Sequence, residues 1–105
     1  FFKILKKIFA ITKNTYNKKN ILVGNEPKRF CYHEDWVTSI TCLQDKNKIA
    51  TGSSDKEIKI FDLKKEKVTS TLSGHTDAIL CLIYHWKTNQ LVSASADKTV
   101  KVWDM

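Results

Sequence analysis

The chain has 105 residues, 42% of them hydrophobic, with five Phe, three Trp, three Tyr and a net charge of +7. That length suits one small domain, and the apolar and aromatic content excludes a disordered polymer. Every basic residue except Arg29 is a lysine, which fits a solvated surface better than the Arg forks that read phosphates, and no apolar run nears the roughly 20 residues that span a bilayer.

Residues 1–27 form a basic N-terminal segment. Over 1–13, Leu5, Ile8, Phe9 and Thr12 share one helical face, with Lys3, Lys6 and Lys7 mostly opposite. A helix or strand packed on the rest of the protein is the plainer reading. A helix lying on an acidic membrane surface and a strand over Ile8–Thr12 are the alternatives. A polar loop follows over 13–20, then a strand at Ile21–Gly24 and a turn at Asn25-Glu26-Pro27. This segment loosely echoes the chain after it, as a degenerate earlier repeat would.

From Lys28 the pattern becomes regular. Strands are predicted at Lys28–Cys31, Trp36–Leu43, Ile49–Ser53, Glu57–Leu63 and Val68–Leu72, then at Ala78–His85, Leu91–Ser95 and Thr99–Trp103. The turns between them are polar: Gln44–Lys48, Ser54-Asp55-Lys56 and Lys64–Lys67. Short strands with period-two alternation and short turns indicate antiparallel sheet. Ile58 and Ile60 fall on one face. Cys81, between Leu80 and Leu82, reads as a small buried residue, and Trp86 as packed on a neighbour or partly exposed.

A shift of 42 residues lays this region on itself without a gap. His33 meets His75, Asp35 meets Asp77, Ser53 meets Ser95, Asp55 meets Asp97 and Asp62 meets Asp104. Thr51/Ser93, Ile58/Val100, Ile60/Val102 and Phe61/Trp103 are chemically similar pairs. A period of this length marks an array of structural repeats.

Gly74-His75, the run Ser93–Asp97 and Val100-Lys101-Val102-Trp103-Asp104 resemble the WD-repeat family of β-propellers. The resemblance covers residues 28–105, divided as a first repeat over 28–72 and a second, truncated one over 73–105. It implies an all-β fold of antiparallel four-stranded blades. Two blades cannot close a ring of the usual four to eight, so a partial propeller is expected, with the remaining blades outside this segment. The Phe at position 1 and the stop after a third strand at Met105 fit a fragment or an incomplete ring.

The same resemblance implies a hydrogen-bonded tetrad in each blade: His75, Ser93, Asp97 and Trp103, with His33, Thr51, Asp55 and Phe61 as upstream counterparts. Phe61 has no indole N–H, so the upstream tetrad lacks its last donor. Tying a turn Asp to a loop His through a hydroxyl fixes a blade's hairpins, so these residues read as structural. A catalytic His–Asp reading lacks a placed nucleophile.

No Gly-rich phosphate loop, His-Glu-x-x-His or Gly-x-Ser-x-Gly occurs, so neither an enzyme nor a cofactor is expected. Cys31, Cys42 and Cys81 are odd in number and include no Cys-x-x-Cys pair. They argue against a disulfide framework and a zinc ribbon and favour a reducing compartment, cytoplasmic or nuclear. Cys31, His33 and Cys42 could be drawn as a metal site, but His33 is already committed to a tetrad. The resemblance implies a non-catalytic scaffold that docks other protein subunits or peptides. Its candidate surface is Glu34, Trp36, Lys56, Thr76, Ala78 and Lys98, where inner-strand entry loops and tight turns converge. Trp36 either packs between blades or anchors a partner, and Asp35 and Asp77 either cap their own loops or face that partner. The alternatives are an accessory propeller of a larger enzyme and a Lys-rich surface for nucleic acid or acidic lipid, neither of them favoured. Lys64 stands where WD-repeat receptors of cullin-type ligases often carry Arg, which disfavours that role.

Overall fold

The computed structural model describes residues 28–45 and 47–105. The expected N-terminal helix, the strand at Ile21–Gly24 and the degenerate earlier repeat lie outside the described residues. The chain divides into two compact units, 1–31 and 32–105.

The second unit is all antiparallel sheet. Strands β1 (Val37–Cys42), β2 (Lys48–Ser53), β3 (Ile58–Asp62) and β4 (Lys67–Leu72) form a four-stranded meander. Strands β5 (Ile79–His85), β6 (Gln90–Ser95) and β7 (Val100–Asp104) form a three-stranded one. The stretch Lys28–Cys31, expected as a strand, joins neither sheet. Strand propensity is a weak preference that tertiary context overrides.

The 42-residue period extends to the backbone. The β1–β2 register slips between Val37 and Ser39, and the β5–β6 register slips between Ile79 and Cys81. The bulged residues, Thr38 and Leu80, are one period apart. Leu63 N donates to Asn47 O, and Met105 N donates to Asn89 O. Lys56 and Lys98 both sit in the left-handed region, at φ 76° and 70°. There each closes a tight turn by donating its N–H to Ser53 O or Ser95 O, at 3.2 Å in both cases.

The two sheets pack face to face through one apolar cluster. Leu43, Ala50, Ile58 and Ile60 of the first meet Ile79, Leu82 and Leu91 of the second, with Leu72, Tyr84 and Trp103 at the margin. Alternation puts Ile58 and Ile60 on the same inward face. Gly52 permits the close approach, because a Cβ there would lie 2.5 Å from Ile79 Cγ2. Two side-chain bonds tie the strands across the junction. Thr38 Oγ1 donates to Ile79 O, and Leu82 N donates to Ser39 Oγ at 3.0 Å.

Cys81 is exposed and corrects the expectation of burial. It pairs with Ala94, on the face of the second sheet that also carries Ile83, Val92, Val100 and Val102. That face points away from the first sheet, and Ile83, Val100 and Val102 are exposed with it. An apolar residue between two leucines is buried only if something covers its side of the pleat.

Candidate functional site

In an antiparallel meander successive turns alternate between the two ends of the sheet. The loops entering β1 and β5 therefore share an end with the β2–β3 and β6–β7 turns. The backbone locks each loop to its turn: Ser54 N donates to Trp36 O at 2.8 Å, and Ala96 N donates to Ala78 O at 2.9 Å. Ser53 and Ser95 add a second pin that sequence reasoning missed. Each hydroxyl donates to the loop carbonyl of Asp35 or Asp77 and accepts from the N–H of Asp55 or Asp97. Their identity across the period was the available signal.

Behind this end lie two polar chains. In the second sheet Trp103 Nε1 donates to Ser93 Oγ at 2.9 Å, and Ser93 Oγ lies 2.7 Å from His75 Nε2. His75 Nδ1 lies 2.7 Å from Asp97 Oδ2, with side-chain exposures of 1% and 6%. A carboxylate can only accept, so His75 Nδ1 carries the proton and Nε2 accepts from Ser93. The donors thus run in one direction from indole to carboxylate. Thr99 donates through both Oγ1 and N to Asp97 Oδ1, and Thr76 N donates to Oδ2. The Thr99 hydroxyl, with the His75 ring and these amides, holds the Asp97 carboxyl well below its ordinary range against the opposing effect of burial. Thr99 was not among the sequence candidates, and its counterpart is Glu57, which has no hydroxyl.

In the first sheet His33 Nδ1 meets Asp55 Oδ2 at 2.9 Å, and His33 Nε2 meets Thr51 Oγ1 at 2.8 Å. Burial pushes the Asp55 carboxyl up, but hydrogen bonds from Glu57 N, Glu34 N and His33 outweigh it and bring the group below its usual range. Phe61 is buried and supplies no donor. Its ring packs instead on Tyr32, at 5.5 Å between centroids. In the second sheet the same two positions are Gly74, at φ 153°, and Trp103, whose Cη2 lies 3.4 Å from where a Gly74 Cβ would stand. A large ring over a glycine and a smaller ring under a tyrosine are two fillings of equivalent space.

The candidate surface residues Glu34, Trp36, Lys56, Thr76 and Lys98 are exposed, and Ala78 is half-buried. Trp36 is 82% exposed, so it does not pack between the sheets. Asp35 Oδ1 accepts from Trp36 N, and Asp77 Oδ1 accepts from Ala78 N, both at 2.7 Å, so both carboxylates cap their own loops while staying exposed. Trp86 lies at the opposite end, 65% exposed, with Lys87 Nζ 5.6 Å from its ring centroid. Among the described residues no group of three His, Cys, Asp or Glu side chains could hold a metal, and no helix is long and apolar enough to cross a membrane.

The WD domain, G-beta repeat model matches residues 24–62 and 66–104. The chain belongs to the WD40 repeat family. It is 39% identical over 102 residues to cell division control protein 4 of Saccharomyces cerevisiae, covering 96% of this chain and 12% of that protein. It is 38% identical over 64 residues to human pre-mRNA-processing factor 19, covering 61% of this chain and 13% of that one. Among solved structures, that of U3-55K superposes with a TM-score of 0.66 at 31% identity, over 73% of this chain and 24% of its own. The chain therefore spans about an eighth of these curated relatives and a quarter of the solved chain.

Proposed function

We propose that this chain is a non-catalytic docking platform for other protein subunits or peptides, working through the end of the sheets that carries Trp36. The exposed indole is the observation that carries the reading. Trp is among the side chains enriched at binding hot spots, and leaving it in water has no folding rationale. The two His–Asp chains behind it serve as struts that hold the loops in place, with repeats bounded at 28–72 and 73–105. Both ring nitrogens of His33 and of His75 are engaged within the fold, which leaves neither free for proton transfer to a substrate. The free thiols of Cys31, Cys42 and Cys81 suit a reducing compartment inside the cell.

The test is affinity capture with the wild-type chain and with Trp36→Ala. Partners retained by the wild type are expected to be lost from the variant, with its thermal unfolding unchanged. Identical capture by both proteins would refute the reading.

A further inference from the structure

We infer that the rim around Trp36 takes a basic peptide segment, with an Arg or Lys side chain laid over the indole. This rests on the docking reading above and names the chemistry of its occupant.

The fold does not require an indole at this position. Ala78 occupies the equivalent place one period later and makes the same two backbone bonds, to an Asp carboxylate before it and to a Ser or Ala amide across the turn. The Trp36 ring itself has no ring contact or hydrogen bond among the described residues, so both of its faces are available.

Charge decides what it would accept. The chain as a whole is strongly basic, at +7, but the charge is unevenly placed. The end of the sheets with Trp36 holds the carboxylates of Glu34, Asp35, Asp55, Asp77 and Asp97 against the ammonium groups of Lys56, Lys98 and Lys101. Glu57 and Lys59 neutralise each other there, at 3.1 Å. The opposite end carries Lys48, Lys64, Lys65, Lys67 and Lys87 against the carboxylates of Asp45, Asp62, Glu66 and Asp104, so among the described residues its balance is slightly positive. Asp55 and Asp97 remain ionised because their bonding partners are donors, so they contribute to the rim's field from beneath.

The two exposed indoles differ accordingly. Trp86, at the opposite end, already has a cation of its own over the ring, from Lys87. Trp36 stands beside Glu34 and Asp35 with its faces open. An arriving guanidinium or ammonium group would gain the ring quadrupole and an adjacent carboxylate together. An acidic segment would meet like charge.

The experiment is calorimetric titration of the full chain at low salt with hexa-arginine, with hexaglutamate and with an uncharged Gly-Ser hexapeptide. Hexa-arginine is expected to bind despite the opposing net charge. Its affinity should fall at least tenfold in Trp36→Ala and several-fold in Glu34→Lys, and stay unchanged in Trp86→Ala. Hexaglutamate binding as tightly, or hexa-arginine binding that ignores Trp36→Ala, overturns the inference. If Trp36→Ala abolishes partner capture while hexa-arginine fails to bind, the platform stands and the basic occupant falls. If neither capture nor hexa-arginine binding depends on Trp36, both fall.

Discussion

Trp103 Nε1 donates to Ser93 Oγ at 2.9 Å, and this bond sets the direction of every donor behind it. With the indole occupying one lone pair, the Ser93 hydroxyl proton is directed to His75 Nε2, and the imidazole proton is held on Nδ1 toward Asp97. Ser93→Ala is therefore expected to strand both the indole N–H and a buried ring nitrogen, costing about 1–3 kcal/mol. Trp103→Phe removes the donor and part of a half-buried ring but leaves Ser93 free to donate to His75, so its loss should be smaller, about 0.5–1.5 kcal/mol. Denaturant melts of the two variants would show the ordering, and a reversed ordering would count against this assignment of protons.

The upstream position tests whether the aromatic fillings are matched sets. Phe61→Trp alone should destabilise, because Tyr32 already packs on the smaller ring. Tyr32→Gly with Phe61→Trp recreates the pairing of Gly74 and Trp103 and offers Thr51 an N–H. A double-mutant cycle should show favourable coupling of about 0.5–3 kcal/mol. Strict additivity would mean that the two pairings are unrelated.

Gly52 faces Ile79 across the junction of the sheets. Gly52→Ala places a methyl 2.5 Å from Ile79 Cγ2 and should cost about 1–3 kcal/mol by overpacking. Ile79→Ala in the same background should recover part of that loss, because it removes the atom struck. The signature is a partial rescue in thermal unfolding, and two simply additive losses would place the strain elsewhere.

Acid should weaken the fold through Asp97 and Asp55. Both carboxyls titrate below their ordinary value of 3.8 in the folded chain, so each binds its proton more readily when unfolded. Their stabilisation is complete above about pH 5 and declines as pH falls through the unfolded value toward the folded ones. Asp62 adds to the trend, since Lys65 N and Lys64 N donate to its Oδ1. Melting temperature should be level near neutrality and drop below about pH 4. Asp97→Asn should melt lower at neutral pH and lose less on acidification, and a drop as steep as that of the wild type would remove Asp97 from the account.

The hairpins were legible in the sequence because their determinants are local. Alternation gave Ile58 and Ile60 a common face, Ser54-Asp55-Lys56 marked a tight turn, and the 42-residue period marked a serial unit. The markers His33, Asp55, His75 and Asp97 could be picked out by spacing. Which nitrogen meets which oxygen could not, because Thr99 and the two pinning serines join the network only once turn and loop are brought together.

What the sequence determined by itself was the repeat, its strands and the family they belong to. Tertiary structure alone decided exposure and charge. Cys81 is exposed because none of the described residues covers its side of the second sheet, a fact about neighbours rather than about the strand. Trp36, at the entry to β1, is exposed because none of the described residues packs over its ring. The carboxylates around it, scattered from Glu34 to Asp97, gather at one end because an antiparallel meander returns every second turn to the same place.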